Sequence, residues 1–113
     1  MNAAHLLPTV RRLPPHELKA KLDGEEHFLL LDVRPSSERA LAHIPEAQPL
    51  DEMGEQGLMA LDRATPLVFH CHHGIRSYHA AVKALQLGFQ NVYNLDGGIE
   101  AWSYQVDPAV PRY

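Results

Sequence analysis

Two apolar runs constrain the fold of this chain more strongly than any other feature of its sequence. They cover residues 28–33 and 67–71, and neither alternates apolar with polar side chains as a half-exposed strand would. This pattern is typical of strands that are covered on both faces, which occur mainly in parallel sheets. Because parallel neighbours need crossover connections, helices are expected between the strands and on both faces of the sheet.

Helical and extended segments alternate along the rest of the chain. Ser36 or Ser37 is predicted to cap a helix that follows Pro35, and Gly88 to end a later one. Apolar residues at helical spacing form the predicted buried face of that later helix: Tyr78, Ala81, Val82 and Leu85. In chain order we predict an extended segment over 9–13, a helix from 15 to 24, a strand over 28–33, a helix over 35–42, a short strand over 47–50, a glycine-broken helix over 51–64, a strand over 67–71, a helix over 78–88, a strand over 91–95 and a helix after 98.

The alternation predicts an α/β fold with a central, mainly parallel β-sheet flanked by helices on both faces. No repeat or long linker interrupts the chain, so residues 1–113 are expected to form a single domain. Sites in such folds gather beyond the carboxyl ends of the strands. Cys71 lies at one of these ends.

Charge and hydropathy exclude several classes of partner. Lys and Arg number 10 against 14 Asp and Glu, a net charge of −4, so there is no basic excess to bind nucleic acid. No apolar run approaches the roughly 20 residues that span a membrane, and residues 1–8 lack the basic and apolar regions of a leader. We therefore expect a cytoplasmic protein with neither a nucleic-acid nor a membrane partner.

Cys71 is the only cysteine, so no intrachain disulfide can form and the thiol serves either packing or reactivity. The start of a helix favours the reactive thiolate, because its unpaired N–H groups and dipole attract an anion. Residues 72–76 are predicted to curl round the sulfur, with Gly74 adopting dihedral angles that other residues avoid. Basic side chains in this segment add to its attraction for an anion: His72, His73 and Arg76.

Loop length separates two chemistries that use such a cradle. A cysteine phosphatase loop places five residues between the thiolate and an arginine, which makes room for a phosphoryl group. Here only four residues, 72–75, separate Cys71 from Arg76, and Ser77 stands where a phosphatase needs its arginine. The smaller pocket suits a single added sulfur atom, that is, a persulfide.

The sequence resembles the rhodanese family of sulfurtransferases in its single-domain form. The resemblance covers roughly residues 9–104, and the order and spacing of its motifs make it specific. The matching segments are Leu31–Arg34, Glu38–Ala47 with His43, Ile44 and Pro45 at its centre, Cys71–Ser77, Val92–Gly98, and Ala101 with Trp102.

This resemblance implies a three-layer rhodanese-like fold and a sulfurtransferase that works through a Cys71 persulfide. It implies transfer of sulfane sulfur from a small anionic donor, such as thiosulfate or a persulfide, to cyanide, a thiol or a sulfur-carrier protein. No metal or organic cofactor is expected. Cys71 is the implied catalytic residue, and the substrate-binding residues are His72, His73, Gly74, Ile75 and Arg76.

Two residues depart from the family pattern, because Ala42 and Glu46 stand where relatives usually carry glycine. A positive φ at either position would force a local shift of the backbone. Glu46 is also expected to place a negative charge near the rim of the site, where it would discourage anionic donors. His72 and His73 replace the arginine or lysine of many relatives that favour thiosulfate.

Neighbouring charged residues have structural interpretations as well. His70 lies inside the strand and is predicted to be a hydrogen-bonded structural residue rather than a base. Asp32 and Arg34 are predicted to form a structural ion pair. Arg76 either stabilises the anion or pairs with Glu38 to hold the loop, and both alternatives remain open.

Two other interpretations of the Cys71 segment give different classes of function. A zinc site at Cys71 is disfavoured, because adjacent residues of a tight loop cannot easily aim at one tetrahedral centre. A non-catalytic module would dock on a partner and use the loop as a recognition surface. Titration of the Cys71 thiol at its ordinary value, about pH 8.5, would favour the docking module.

Overall fold

A single parallel sheet organises residues 8–113, the part of the chain that the computed structural model describes. Within that range its strands are β1 (Arg11–Leu13), β2 (Leu29–Asp32), β3 (Gln48–Pro49), β4 (Leu67–His70) and β5 (Val92–Leu95). Their order across the sheet is β1-β5-β4-β2-β3, and every adjacent pair is parallel. The predicted sheet is confirmed. Residues 1–7 lie outside the described range, so the prediction that residues 1–8 do not form a leader falls almost entirely on residues that the structure does not describe.

Helices cover both faces of the sheet, as predicted. They are α1 (Pro15–Asp23), α2 (Ser36–Leu41), α3 (Leu50–Met59), α4 (Ile75–Gln86) and α5 (Gly98–Gln105). One core cluster joins α1 and α5 to the sheet through Leu18 and Trp102, and the other joins α3 and α4 through Leu58 and Ala81. None of the helices within residues 8–113 is both long and apolar enough to cross a bilayer.

Side chains of the central strand β4 alternate between the two cores. Val68 packs in the cluster with α1 and α5, whereas Leu67 and Phe69 pack in the cluster with α3 and α4. All three are buried, which explains why the sequence shows a continuous apolar run instead of an alternating one.

Strand register brings the polar ends of three strands together. Asp32 at the end of β2 lies opposite His70 at the end of β4, and Phe69 lies opposite Asn94 on β5. Cys71 follows β4 directly and is therefore flanked on both sides by neighbouring strand ends. This is the position at which the sequence predicted a site.

The buried face of α4 differs from the prediction. It consists of Ser77, Ala81 and Ala84, whereas the Tyr78 side chain is 49% exposed. The buried residues are small and recur at i, i+4 and i+7, so the helix can lie close to the sheet. Of the predicted face, Ala81 is buried and Leu85 packs partly against the core, but Tyr78 was wrongly included because positions were ranked by hydrophobicity, whereas close packing here selects small side chains.

Other local predictions also need correction. Pro35 is the N-cap residue of α2, so neither Ser36 nor Ser37 caps that helix with its side chain. The glycine-broken helix ends at Met59 instead of residue 64 and is kinked at Gly54, where φ is 71°.

The missing family glycines cause no backbone strain. Ala42 is extended, with φ −163°, and among residues 8–113 only glycines have positive φ. Glu46 lines a surface recess beside Lys19 and Trp102. It raises the pKa of Lys19, although Asp23 has the larger effect on that group. The expected position of Glu46 at the rim of the Cys71 site is therefore wrong.

Candidate active site

The sulfur of Cys71 lies at the centre of a set of hydrogen-bond donors. The backbone N–H groups of Gly74 and Ser77 donate to Sγ at 3.2 and 3.3 Å, and the Ser77 hydroxyl oxygen lies 3.2 Å from it. Cys71 is only 1% exposed. A thiol in this setting faces donors instead of water.

Local geometry explains how these donors reach the sulfur. Gly74 is the N-cap residue of α4 and has φ 107°, the left-handed conformation that its identity predicted. The first N–H groups of a helix have no acceptor within the helix. Ser77 is in this first turn, so its N–H is free to donate to the sulfur beneath it.

Two opposing effects set the pKa of Cys71. Burial is the largest single effect and raises the pKa, because it disfavours the charged form. Hydrogen bonds from the Ser77 hydroxyl and from the N–H groups of Ser77, Gly74 and His73 lower it, and together they outweigh burial. The pKa of the thiol is therefore below its ordinary value, as expected for a reactive cysteine.

The first turn of α5 holds the loop from the other side. The N–H of Ile99 donates to the Cys71 carbonyl at 2.9 Å, and the N–H of Glu100 donates to the His72 carbonyl at 3.1 Å. Gly98 makes this approach possible, since a Cβ built there would lie 2.6 Å from the Cys71 carbonyl oxygen and closer still to the His72 carbonyl. Only glycine fits at this position.

Arg76 points to Glu38 on α2. Its two terminal nitrogens bond the two carboxylate oxygens at 2.7 and 2.9 Å, a bidentate pair. This bond is the main reason why the pKa of Glu38 falls to about 2. The hydroxyl of Tyr113 also donates to Glu38, at 2.7 Å. Of the two alternatives for Arg76, the geometry matches the one in which it holds the loop, and a substrate-binding role for it stays a prediction.

Asp32 and Arg34 form the predicted ion pair, buried beneath the site. Arg34 bonds the Asp32 carboxylate through Nε at 3.0 Å and Nη2 at 2.7 Å, and it also donates to the Ala42 carbonyl and the Tyr113 hydroxyl. Burial opposes ionisation of Asp32, but its bonds to Arg34 prevail and its pKa is lowered. The pair therefore anchors the loop that leads to α2.

His70 contacts the backbone and Asp32. Its Nδ1 lies 3.4 Å from the Cys71 carbonyl oxygen, and its Nε2 lies 3.6 Å from Asp32 Oδ2. Burial lowers its pKa to about 4, so the ring is neutral near pH 7. These contacts agree with the predicted structural role.

His72 lies between two other rings. It stacks on His73 with centroids 3.9 Å apart and on Tyr113 with centroids 4.0 Å apart. Its Nε2 is 4.0 Å from the Glu100 carboxylate. His73 is exposed and Ile75 is 71% exposed, so both face solvent beside the loop. In the described part of the chain, no three His, Cys, Asp or Glu side chains are grouped to hold a metal.

The structure brings three residues to the site that the sequence analysis did not include. Ser77 bonds the sulfur, Asn94 bonds both Ser77 and the Gly74 carbonyl, and Tyr113 covers His72. Ser77 could have been found from its place in the first turn of the helix after Cys71. Asn94 and Tyr113 are distant in sequence, and no local pattern marks them.

Comparisons with known proteins agree with this geometry. Residues 14–105 match the family model described as the rhodanese-like domain. The chain is 38% identical to the thiosulfate sulfurtransferase GlpE of Pseudomonas fluorescens over 93 residues, which are 81% of this chain and 84% of that protein. It is 33% identical to the probable adenylyltransferase/sulfurtransferase MoeZ of Mycobacterium tuberculosis, covering 89% of this chain but 26% of that one.

A solved structure shares the fold. The crystal structure of a rhodanese-related protein from Thermoplasma volcanium superposes with a TM-score of 0.71 at 27% identity, over 91% of this chain and 99% of that one. The similarity thus extends over nearly the whole of a separate small domain.

Proposed function

This chain belongs to the rhodanese-like domain family, and we propose that it is a sulfurtransferase that carries sulfane sulfur as a persulfide on Cys71. The single observation that carries the proposal is the donor set around a buried thiol whose pKa is lowered. The similarity to proteins named thiosulfate sulfurtransferase supports the same activity. A docking module would have no need for an activated thiol.

In the first step the Cys71 thiolate attacks the outer sulfur of the donor. With thiosulfate, the S–S bond of the donor breaks, sulfite leaves with the bonding electron pair, and a Cys71 persulfide remains. With a persulfide donor, the leaving group is the corresponding thiolate. No oxidant or reductant is consumed, because one S–S bond replaces another.

The start of α4 is suited to stabilise the terminal sulfur. Ile75 and Arg76 lie in the first turn, where N–H groups have no acceptor within the helix. These groups can donate to the anionic outer sulfur of the persulfide, by the same principle as an oxyanion hole. His72 and His73 remain the proposed side-chain contacts of an anionic donor.

In the second step a nucleophile removes the outer sulfur. Cyanide or a thiolate attacks that sulfur, the persulfide S–S bond breaks, and Cys71 leaves as a thiolate. Because Cys71 is almost fully buried, the acceptor must present a slender nucleophile to the loop. A sulfur-carrier protein is the alternative acceptor in this proposal; MoeZ, of which this chain spans about a quarter, is likewise named a probable sulfurtransferase.

Intact mass of the purified protein tests the proposal most directly. After incubation with thiosulfate, and separately with glutathione persulfide, we expect a gain of one sulfur atom on the wild type. Cys71→Ser should fold normally and gain nothing. Failure of both donors to load the wild type would overturn the proposal in favour of a docking module, and equal loading of Cys71→Ser would overturn Cys71 as the sulfur carrier.

A further inference from the structure

Asn94 is bonded to two of the residues that donate to the Cys71 sulfur, Gly74 and Ser77. Its side-chain Nδ2 donates to the Gly74 carbonyl at 2.9 Å, and its Oδ1 lies 2.6 Å from the Ser77 hydroxyl oxygen. Gly74 and Ser77 in turn donate to the sulfur. A half-buried side chain of β5 therefore lies directly behind the donor set.

The partners of the Asn94 amide fix its orientation. A backbone carbonyl can only accept, so the nitrogen of the amide faces Gly74. Its oxygen must then face Ser77, and because a carbonyl oxygen does not donate, the Ser77 hydroxyl donates to it.

The Ser77 hydroxyl has one hydrogen and two acceptors within reach. These are Asn94 Oδ1 at 2.6 Å and the Cys71 sulfur at 3.2 Å. While Cys71 is a thiol, its S–H can donate to the Ser77 oxygen and the hydroxyl can donate to Asn94. When Cys71 ionises, the hydroxyl turns to the sulfur and the Asn94 oxygen loses its donor.

We propose that Asn94 is a positioning residue that competes with the Cys71 sulfur for the single Ser77 hydroxyl hydrogen, and so sets how readily the thiol ionises. The inference rests on the proposed function only in taking Cys71 as the reactive group. Ser77 favours the thiolate, whereas the oxygen of Asn94 opposes it.

A double-mutant cycle on alkylation rates separates this competition from loop anchoring. The pH midpoint of Cys71 alkylation by iodoacetamide is measured for wild type, Ser77→Ala, Asn94→Ala and the double variant. Loss of the bond to Gly74 is common to both backgrounds and cancels in the cycle. Asn94→Ala should lower the midpoint by about half a pH unit or more beyond its effect in the Ser77→Ala background. This difference corresponds to about a threefold rise in the thiolate fraction below the midpoint.

The inference is overturned if Asn94→Ala shifts the midpoint equally in both backgrounds, or lowers it less when Ser77 is present. Asn91→Ala is the matched control, since Asn91 directly precedes the same strand, at the end away from Cys71, and donates to the Ala64 carbonyl. It should leave the midpoint unchanged, and a shift as large as that of Asn94→Ala would also count against the inference.

A measurement on the unmodified protein covers the case in which a variant does not fold. The carbon-13 shift of the Asn94 side-chain carbonyl should titrate with the same midpoint as alkylation, and a flat shift would overturn the inference. Neither experiment uses a sulfur donor. If the chain fails to load sulfur but shows the coupling between Asn94 and ionisation of Cys71, the proposed function is refuted and this inference stands.

Discussion

Two glycines with similar, positive φ have different surroundings. Gly98 has φ 62° and Gly54 has φ 71°, so a side chain at either position would be strained. A Cβ at Gly98 would meet the carbonyl groups of Cys71 and His72, whereas a Cβ at Gly54 would have nothing within 4 Å. The pair thus separates backbone strain from steric exclusion.

We expect Gly98→Ala to destabilise the fold and to displace the Cys71 loop. Strain from the positive φ and overpacking each cost about 1–3 kcal/mol, so the free energy of unfolding should fall by roughly 2–6 kcal/mol. Urea denaturation measures this change. The rate of Cys71 alkylation should change as well, because the backbone that must move carries the sulfur.

Gly54→Ala is the control for backbone strain. It should lower the free energy of unfolding by about 1–3 kcal/mol and leave alkylation of Cys71 unaltered. Equal destabilisation by the two alanine substitutions would show that the close approach of α5 to the loop is unimportant.

Residues differ in how far sequence alone could predict their place in the site. Cys71 and Gly74 were predictable because a thiol after a buried strand and a glycine before a helix have local consequences. Asn94 was not, since its role depends on the register between β4 and β5, which sequence patterns do not specify. Gly98 was predicted only to precede the last helix, because its neighbour in space is 26 residues away along the chain, at His72.

At the scale of secondary-structure elements, the bond between Glu38 and Arg76 fastens α2 to the start of α4. The pKa of Glu38 is about 2 in the folded chain against an ordinary value of 4.5. A depressed folded pKa means that the pair stabilises the fold fully above about pH 4.5. This contribution is lost progressively as pH falls from 4.5 towards 2.

Glu38→Gln should therefore lose stability by an amount that depends on pH. We expect the difference in unfolding free energy between wild type and Glu38→Gln to be largest above pH 5 and to shrink towards pH 3. Denaturant titrations at several pH values measure it. Glu52→Gln is the control, since that exposed carboxylate lies 3.9 Å from Arg39. A difference in unfolding free energy between wild type and Glu38→Gln that does not change with pH would contradict the expectation.

Predictions of strands succeeded where the apolar run was continuous. The prediction of the buried face of α4 was less accurate, because the distance between the helix and the sheet decides which side chains fit there. The runs that became β2 and β4 are buried on both faces, so hydrophobicity alone identified them. The inner face of α4 is formed by the small residues Ser77, Ala81 and Ala84, and an apolar ranking favoured Tyr78 instead. A helix that must approach a sheet closely selects for size more than for hydrophobicity.

At the scale of the whole molecule, the chain beyond α5 returns across the site. Val110 is buried in the core shared by α1 and α5, and its carbonyl accepts a bond from Ser103. Arg112 bonds Glu100 at 2.8 Å, and Tyr113 reaches Arg34 and the ring of His72. Residues far apart in sequence thereby close over the Cys71 loop.

Tyr113→Phe should destabilise the fold while retaining the ring stack. The variant removes an acceptor from the buried Arg34 and a donor from Glu38, and bonds to charged groups contribute about 1.5–3 kcal/mol. We expect a loss of about 1–3 kcal/mol in urea denaturation. Tyr104→Phe is the control, because that side chain is 74% exposed, and its loss should be within about 0.5 kcal/mol. Indistinguishable losses would show that the hydroxyl of Tyr113 is dispensable.

The returning segment also bears on how such a domain can be moved between proteins. The family match ends at residue 105, yet Val110 and Tyr113 pack on the core and on the loop. A cut placed at the last matched residue would leave an apolar hole where Val110 packs and would deprive Nη1 of Arg34 of the Tyr113 hydroxyl. Any exchange that grafts this catalytic unit into a longer polypeptide must therefore carry residues 106–113 with it, or supply an equivalent aromatic hydroxyl from the host.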